Sequence, residues 1–159
     1  MCSNEIDIYR DTPIRYLGYA NELGESFKKL IPKSLYLGSY VAAIGYVLAD
    51  TRDKALKIKK PSMQFKIAGD VFIWQMLASV MVPGFTINRI CHFSRIGLRR
   101  SSAFRNFKKN ELIISSIGIG SIPLIIHPID SAVDYLMDST YRPFVLGKGR
   151  YVAGQWVPE

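Results

Sequence analysis

Three apolar runs divide the chain, and charged segments separate them. The central run, Val71 to Asn88, contains 18 residues without a charged side chain. An apolar run of about 18 residues or more indicates a transmembrane helix. Because Pro83 and Gly84 interrupt it, the run predicts one of two structures. It forms either one kinked helix that crosses a bilayer, or a helix, a sharp break and a second short helix that ends near Arg89.

The other two runs are shorter. Leu35–Ala49 and Leu112–Ile126 each contain 15 uncharged residues. As helices they would span about 22 Å, less than the roughly 30 Å of a bilayer core. Ser34 and Asp50 mark the expected ends of the first run, and small residues at spacings of four within it favour close helix packing in membranes. A soluble bundle with unusually apolar core helices is the alternative.

An amphipathic helix is expected before these runs. Thr12 and Pro13 are typical of a helix start, and Pro32 should end or kink the helix. An apolar stripe with spacings of four and three follows the start: Tyr16, Ala20, Leu23, Phe27 and Leu30. The stripe indicates either an ordinary helix packed on its neighbours or a helix lying in the headgroup plane.

The net charge of +8 is concentrated in two linkers. Residues 50–66 carry six basic and two acidic side chains, and residues 89–111 carry seven basic and one acidic. Such blocks suit anionic lipid headgroups, although solvated loops would look the same. Nucleic acid is not expected, because the chain has no zinc-finger spacing and no RNA-recognition signature. The candidate lipid-contacting residues are Arg95, Arg99, Arg100, Arg105, Lys108 and Lys109.

Nothing in the chain amounts to an active site. There is no phosphate-binding glycine motif, and we expect no cofactor, no bound metal and no catalytic residue. His127, Asp130 and Asp134 could place an imidazole and two carboxylates on neighbouring turns, but a solvated acidic ridge balanced by Arg142 explains them better. Pro128 suits the first turn of a helix. Cys91 and His92 are adjacent and should point to different faces.

The fold class that we predict is all-α. The chain is read as a single domain of residues 1–159, a small multi-pass helical membrane protein. It should contain about three short, kinked apolar helices and the N-terminal amphipathic helix, with loose ends at residues 1–11 and 143–159. The acidic start, with Glu5, Asp7 and Asp11, resembles neither a signal peptide nor a mitochondrial presequence, so any organelle address should be internal.

Four segments together are similar to one family. YRDTPIRYLGYANELGESF (9–27), YVLAD (46–50), FIWQMLASVMVPGFTINRIC (72–91) and IPLIIHPIDSAVDYLMDS (122–139) resemble the mitochondrial fission process protein 1 family. PGFTINR and HPID are the most specific parts, and they mark Pro83, Gly84, Asn88, Arg89, His127, Pro128 and Asp130 as candidate structural motif residues. The resemblance implies a non-enzymatic, multi-pass protein of the mitochondrial inner membrane that promotes or regulates mitochondrial division and inner membrane integrity.

The expected partners are anionic inner-membrane lipids, cardiolipin in particular. Short spans favour local membrane thinning or oligomerisation, so further copies of the chain are also expected partners. The sequence identifies no protein partner in the division machinery. The alternative function is a small inner-membrane carrier or channel that uses polar intramembrane residues: Gln75, Asn88, His127 and Asp130.

Overall fold

The computed structural model describes residues 13–58, 60–99, 107–147, 149–152 and 155–158. Most of this part of the chain is helical. A 3-10 helix, Pro13–Tyr19, leads into α1, Ala20–Phe27, and α2 is Lys33–Leu56. Then follow α3, Pro61–Gln75, a π-helix, Met76–Met81, α4, Val82–Arg99, and α5, Phe107–Ser139. A π-helical turn, Arg142–Leu146, precedes two antiparallel strands, β1, Gly149–Val152, and β2, Gln155–Pro158.

The apolar run at 35–49 lies within a longer helix than expected. α2 has 24 residues and continues through Asp50, which was expected to mark its end. The helix tolerates this carboxylate because Lys54 pairs with it at 2.9 Å and the Gln75 amide donates to it at 2.6 Å. At 1.5 Å per residue, α2 is about 36 Å long.

The central run is one continuous helix, so the sharp break between two short helices is absent from it. α3, the π-helix and α4 follow one another without a gap, and the π-helical turns lie just before Pro83. A proline ring collides with the carbonyl four residues earlier and removes one hydrogen bond, and a π-helical turn absorbs such a defect. The carbonyl of Val80 in this segment accepts a hydrogen bond from the Asn21 side chain at 3.1 Å.

Pro128 does not start a helix, contrary to prediction. α5 is a single helix of 33 residues, and both Pro123 and Pro128 lie inside it. Long apolar helices tolerate internal prolines where other groups satisfy the freed carbonyls. Near Pro123, the Ser121 hydroxyl donates to the carbonyl of Gly118 at 2.7 Å.

Helix α1 packs between α2, α4 and α5, while α2 packs on α3 and α4 on α5. The apolar core is divided into small clusters at these interfaces, such as Ile87, Cys91 and Ile114 between α4 and α5. The C-terminal tail differs from its prediction: where a loose segment was expected, the structure has the π-helical turn and the two strands. Residues 1–12, which include Thr12 and the predicted loose N-terminus, lie outside the described residues.

Two helices are long and apolar enough to cross a membrane. Pro61–Leu98 has 38 residues and contains an 18-residue window with a mean hydropathy of 1.4, and Lys109–Ser139 has 31 residues and contains one of 1.9. These are the second and third of the three predicted spans. Helix α2, which contains the first apolar run, does not meet the same criteria of length and composition.

Candidate functional site

Helix α1 presents its polar face to the protein and its apolar face outwards. Asn21, Glu22, Glu25 and Ser26 are buried, whereas Leu23 is 45% exposed. Of the other residues in the predicted apolar stripe, Tyr16 in the preceding 3-10 helix and Leu30 after α1 are exposed, and Ala20 and Phe27 are half-buried. Helix α1 therefore differs from a headgroup-plane helix, in which the polar face would meet water.

Glu25 is the centre of the polar contacts that α1 makes. Its carboxylate accepts hydrogen bonds from Tyr36 Oη at 2.5 Å, Tyr40 Oη at 2.8 Å and Asn88 Nδ2 at 2.8 Å. Lys28 pairs with it at 3.3 Å. Burial raises the pKa of Glu25, but these hydrogen bonds outweigh it and hold the pKa below its ordinary value. Glu25 thus joins α1 to α2 and α4 as a charged group.

A second buried contact joins α2 to the long central helix. Asp50 is fully buried and accepts the hydrogen bond from Gln75, whose own side-chain oxygen accepts one from Ser79 Oγ at 2.8 Å. Gln75 and Ser79 of the central run therefore form hydrogen bonds inside the protein.

A third contact closes the end of α5. Arg142 donates to Asp70 at 3.0 Å, to Asp134 at 3.1 Å and to Asp138 at 2.7 Å. Arg142 and Asp70 are both buried. Burial lowers the pKa of Arg142, but the aspartates reverse this effect and hold it above its ordinary value. Arg142 therefore balances the acidic side chains Asp134 and Asp138, as the sequence predicts for this acidic ridge. The arginine is buried, however, and it also binds Asp70 of α3.

The fourth contact is a bidentate ion pair between α4 and α5. Arg95 binds Glu111 through Nε at 2.8 Å and through Nη2 at 2.7 Å. Bidentate pairs of this kind are geometrically specific and strong among ion pairs. Arg95 was expected to contact lipid, but in the structure its guanidinium is engaged by Glu111.

The outer surface of the described part is rich in large apolar side chains. Phe65, Leu124 and Phe144 are 82%, 76% and 88% exposed, and Val41 on α2 is 70% exposed. The interior, in contrast, holds charged and amide side chains. Scattered apolar residues are ordinary on a soluble protein, but extended apolar surfaces mark contact with a membrane or another protein.

The PGFTINR motif lies where α4 meets α1 and α2. Pro83 and Gly84 are buried, and a Cβ atom on Gly84 would lie 3.3 Å from both Asn21 Nδ2 and Tyr40 Oη. Glycine therefore permits the close approach of the three helices. Asn88 binds Glu25, whereas Arg89 is exposed and stacks over the Phe85 ring at 5.0 Å.

The HPID motif contains both exposed and buried or half-buried residues. His127 and Pro128 are exposed, and Asp130 is half-buried and close enough for its charge to raise the pKa of Glu22 on α1. The two motifs meet the same helix, α1, from α4 and α5. Among the described residues, no group of three His, Cys, Asp or Glu side chains could hold a metal ion. Cys91 is buried and His92 is exposed, so the two side chains point to different faces as predicted.

The basic linker before α5 is described only at its ends. Lys109 is exposed. The side chains of Arg99, Arg100, Arg105 and Lys108 lie outside the described part of the structure.

Sequence reasoning did not identify Glu22, Glu25, Asp70 or Glu111 as internal groups. One signal was present: Asp50, Asp70 and Glu111 each lie beside an apolar run, within the reach of its helix. For α1 there was no such signal, because periodicity defines a face without defining what that face contacts.

Several curated relatives are similar to the chain over most of its length. A Caenorhabditis elegans protein named Mitochondrial fission process protein 1 is 46% identical over 146 residues, covering 86% of this chain and 87% of the relative. Relatives of the same name from Homo sapiens and Danio rerio are 45% and 44% identical. They cover 87% and 88% of this chain, and 87% and 89% of their own lengths. No family model and no solved structure matches.

The fold and the polar contacts define a helical protein with a charged interior, an apolar outer surface and two helices long enough to cross a membrane. The identity with these relatives shows the family of this helical protein. The chain belongs to the mitochondrial fission process protein 1 family.

Proposed function

We propose that the chain is a non-enzymatic, multi-pass integral protein of the mitochondrial inner membrane that promotes or regulates mitochondrial division and inner membrane integrity. The single observation that carries the membrane assignment is the reversed orientation of α1, with Glu22 and Glu25 inside and Leu23 outside. In water this arrangement buries charge and exposes apolar surface, and both are unfavourable. In lipid, the same arrangement gives each face its preferred surroundings.

We include α2 as a third span. Most of its exposed large apolar residues lie in its first part: Leu35, Leu37, Val41, Ile44 and Leu48. Leu56, at its last position, is exposed too. Asp50, which lowers its hydropathy, faces inwards, forms an ion pair with Lys54 and accepts a hydrogen bond from Gln75. The apolar portion remains shorter than a bilayer core, so local thinning or self-association is expected around it.

Membrane integration is tested by carbonate extraction of mitochondria followed by protease protection of tags at each terminus. We expect the protein to stay in the membrane pellet, and three spans require that the tag at one terminus is digested and the tag at the other is protected while the outer membrane alone is opened. Release into the soluble fraction would overturn the membrane assignment, and digestion after opening only the outer membrane would give the side on which each terminus lies.

The role in division is tested by depletion and rescue. Mitochondria of depleted cells should become elongated if the protein promotes division, or fragmented if it restrains division, and the full chain should reverse the change. The Gly118→Val variant, which cannot pack correctly, should rescue poorly, whereas Gly120→Val on an open face should rescue fully. Unchanged morphology after complete depletion would refute a role in division.

We further propose that the basic segment before α5 binds anionic headgroups such as cardiolipin. The Arg95 guanidinium is bound to Glu111, so the test uses the other basic residues. Flotation with liposomes of increasing anionic lipid content should show binding that falls when Arg99, Arg100, Lys108 and Lys109 are replaced by Gln. A charge-preserving control exchanges Arg and Lys at the same positions and should bind normally. Equal binding by the Gln variant would refute lipid contact.

The carrier alternative rests on Gln75, Asn88, His127 and Asp130. Gln75 and Asn88 are bound to Asp50 and Glu25 inside the protein, which favours a structural role for both. Ion flux into reconstituted vesicles that disappears with Asp130→Asn would support the carrier and count against a purely structural protein.

A further inference from the structure

The environment of the Glu22 carboxyl group differs from that of every other acidic side chain described above. Its side chain lies on α1 at the interface with neighbouring helices and is 0% exposed. Neither carboxyl oxygen has a hydrogen-bond partner in the described part of the structure. Glu25, less than one turn away on the same helix, has four donors around its carboxylate. Two glutamates of one short helix therefore have opposite environments.

The charges around Glu22 do not compensate its burial. From α5, the carboxyl group that acts on it is Asp130, a like charge. The titratable groups that α2 and α4 bring to α1 serve other positions: Tyr36 and Tyr40 bind Glu25, Tyr46 packs on Gly18, and Cys91 lies by Gly118 and Ser26. Lys28 of α1 itself pairs with Glu25. Burial first, and then Asp130, raise the pKa of Glu22 to about 8.

We propose that Glu22 is an internal proton-binding site, and that the bound proton stabilises the packed position of α1 between α2, α4 and α5. A neutral carboxylic acid can be buried at moderate cost, whereas an unpaired carboxylate cannot. Loss of the proton places an uncompensated charge beside Asp130, and α1 then loosens from α5. This inference is independent of the role in division, because it concerns only how α1 is held.

The direction of the pH dependence follows from the two states. Below pH 4.5 both the packed and the released forms of α1 carry the proton, and Glu22 has no effect. Between 4.5 and about 8 only the packed form holds it, so rising pH progressively favours release. Above about 8 the packed form loses the proton too, and the effect is complete.

The direct test is infrared spectroscopy of the full chain in lipid nanodiscs, titrated from pH 6 to 10. A protonated carboxyl has a C=O stretch distinct from that of a carboxylate. We expect such a band at neutral pH, lost near pH 8. The protection of the amides in Ala20–Phe27, measured relative to their intrinsic exchange rates, should fall as the pH rises towards 8 and level off above it. Absence of the band at neutral pH would overturn the proposal.

Two pairs of variants assign the band. Glu22→Gln should remove it and make the protection of the α1 amides, relative to their intrinsic exchange rates, independent of pH, whereas the matched Glu25→Gln should retain the band. Asp130→Asn should move the midpoint to lower pH because a like charge is removed, and Asp134→Asn, one turn further along α5, should leave it unchanged. Persistence of the band in Glu22→Gln refutes the site. If that variant does not fold, an unchanged midpoint in Asp130→Asn refutes it.

Discussion

Replacing Arg142 by Met is expected to destabilise the protein by about 3–5 kcal/mol, the usual cost of removing one partner from a buried ion pair. The Arg142 and Asp70 side chains are 7% and 2% exposed and meet at 3.0 Å, so the substitution leaves the buried Asp70 carboxylate without its cation. Asp134 and Asp138 are 50% and 63% exposed, and the loss of each exposed contact costs about 0.2–1 kcal/mol. Nearly all of the loss in the free energy of unfolding should therefore come from breaking the Arg142–Asp70 pair.

The assay is reversible unfolding of the full chain in detergent micelles, followed by the fluorescence of Trp74 and Trp156. Asp138→Asn is the matched control and should cost less than about 1 kcal/mol, since water already solvates that carboxylate. The double variant Asp70→Leu with Arg142→Met should recover most of the stability, because two apolar side chains can replace a buried pair. Equal losses for Arg142→Met and Asp138→Asn, or additive losses in the double variant, would refute this reasoning.

Two further predictions concern the packing of α1 on its neighbouring helices and use the same unfolding measurement. Gly118→Val should cost about 1–3 kcal/mol by overpacking, because a Cβ there would lie 2.8 Å from Ser26 Oγ. Gly120→Val, whose Cβ would meet nothing within 4 Å, should be close to neutral, and similar costs for the two would contradict the packing. Glu25→Ala should cost about 2–4 kcal/mol because three half-buried donors, Tyr36, Tyr40 and Asn88, lose their acceptor. Lys28→Ala, which removes the half-exposed partner, should cost less than about 1 kcal/mol, and an equal loss would show that the buried hydrogen bonds contribute little.

The reversed α1 suggests why this short helix tolerates so many polar side chains. It lies between three apolar helices, and its polar groups satisfy groups that those helices leave available. Asn21 donates to the Val80 carbonyl beside the proline defect, and the Ser26 carbonyl accepts from Ser115 Oγ at 2.7 Å. In an apolar medium each such group would otherwise lack a partner. The polar helix and the irregular central helix are therefore complementary.

The linear pattern predicted the helical class, the three apolar runs and the position of the irregularity at Pro83. These features are local, because the absence of charge over 15 to 18 residues and the steric demands of proline depend only on neighbours in the chain. The same local reasoning failed at Asp50 and at Pro128. Within the fold, Lys54 forms an ion pair with Asp50 and Gln75 donates a hydrogen bond to it. Helix α5 continues through Pro128.

What the sequence alone determined is thus where helices form and where they bear apolar stripes. Only the tertiary structure decided which way those stripes face. Residues Tyr16 and Leu23 define a stripe in either medium, but the side that turns inwards depends on whether Glu22 and Glu25 find partners among the other helices. Glu25 finds them in α2 and α4, and Glu22 finds Asp130 instead. That difference arises from contacts between residues distant in the chain, which periodicity does not contain.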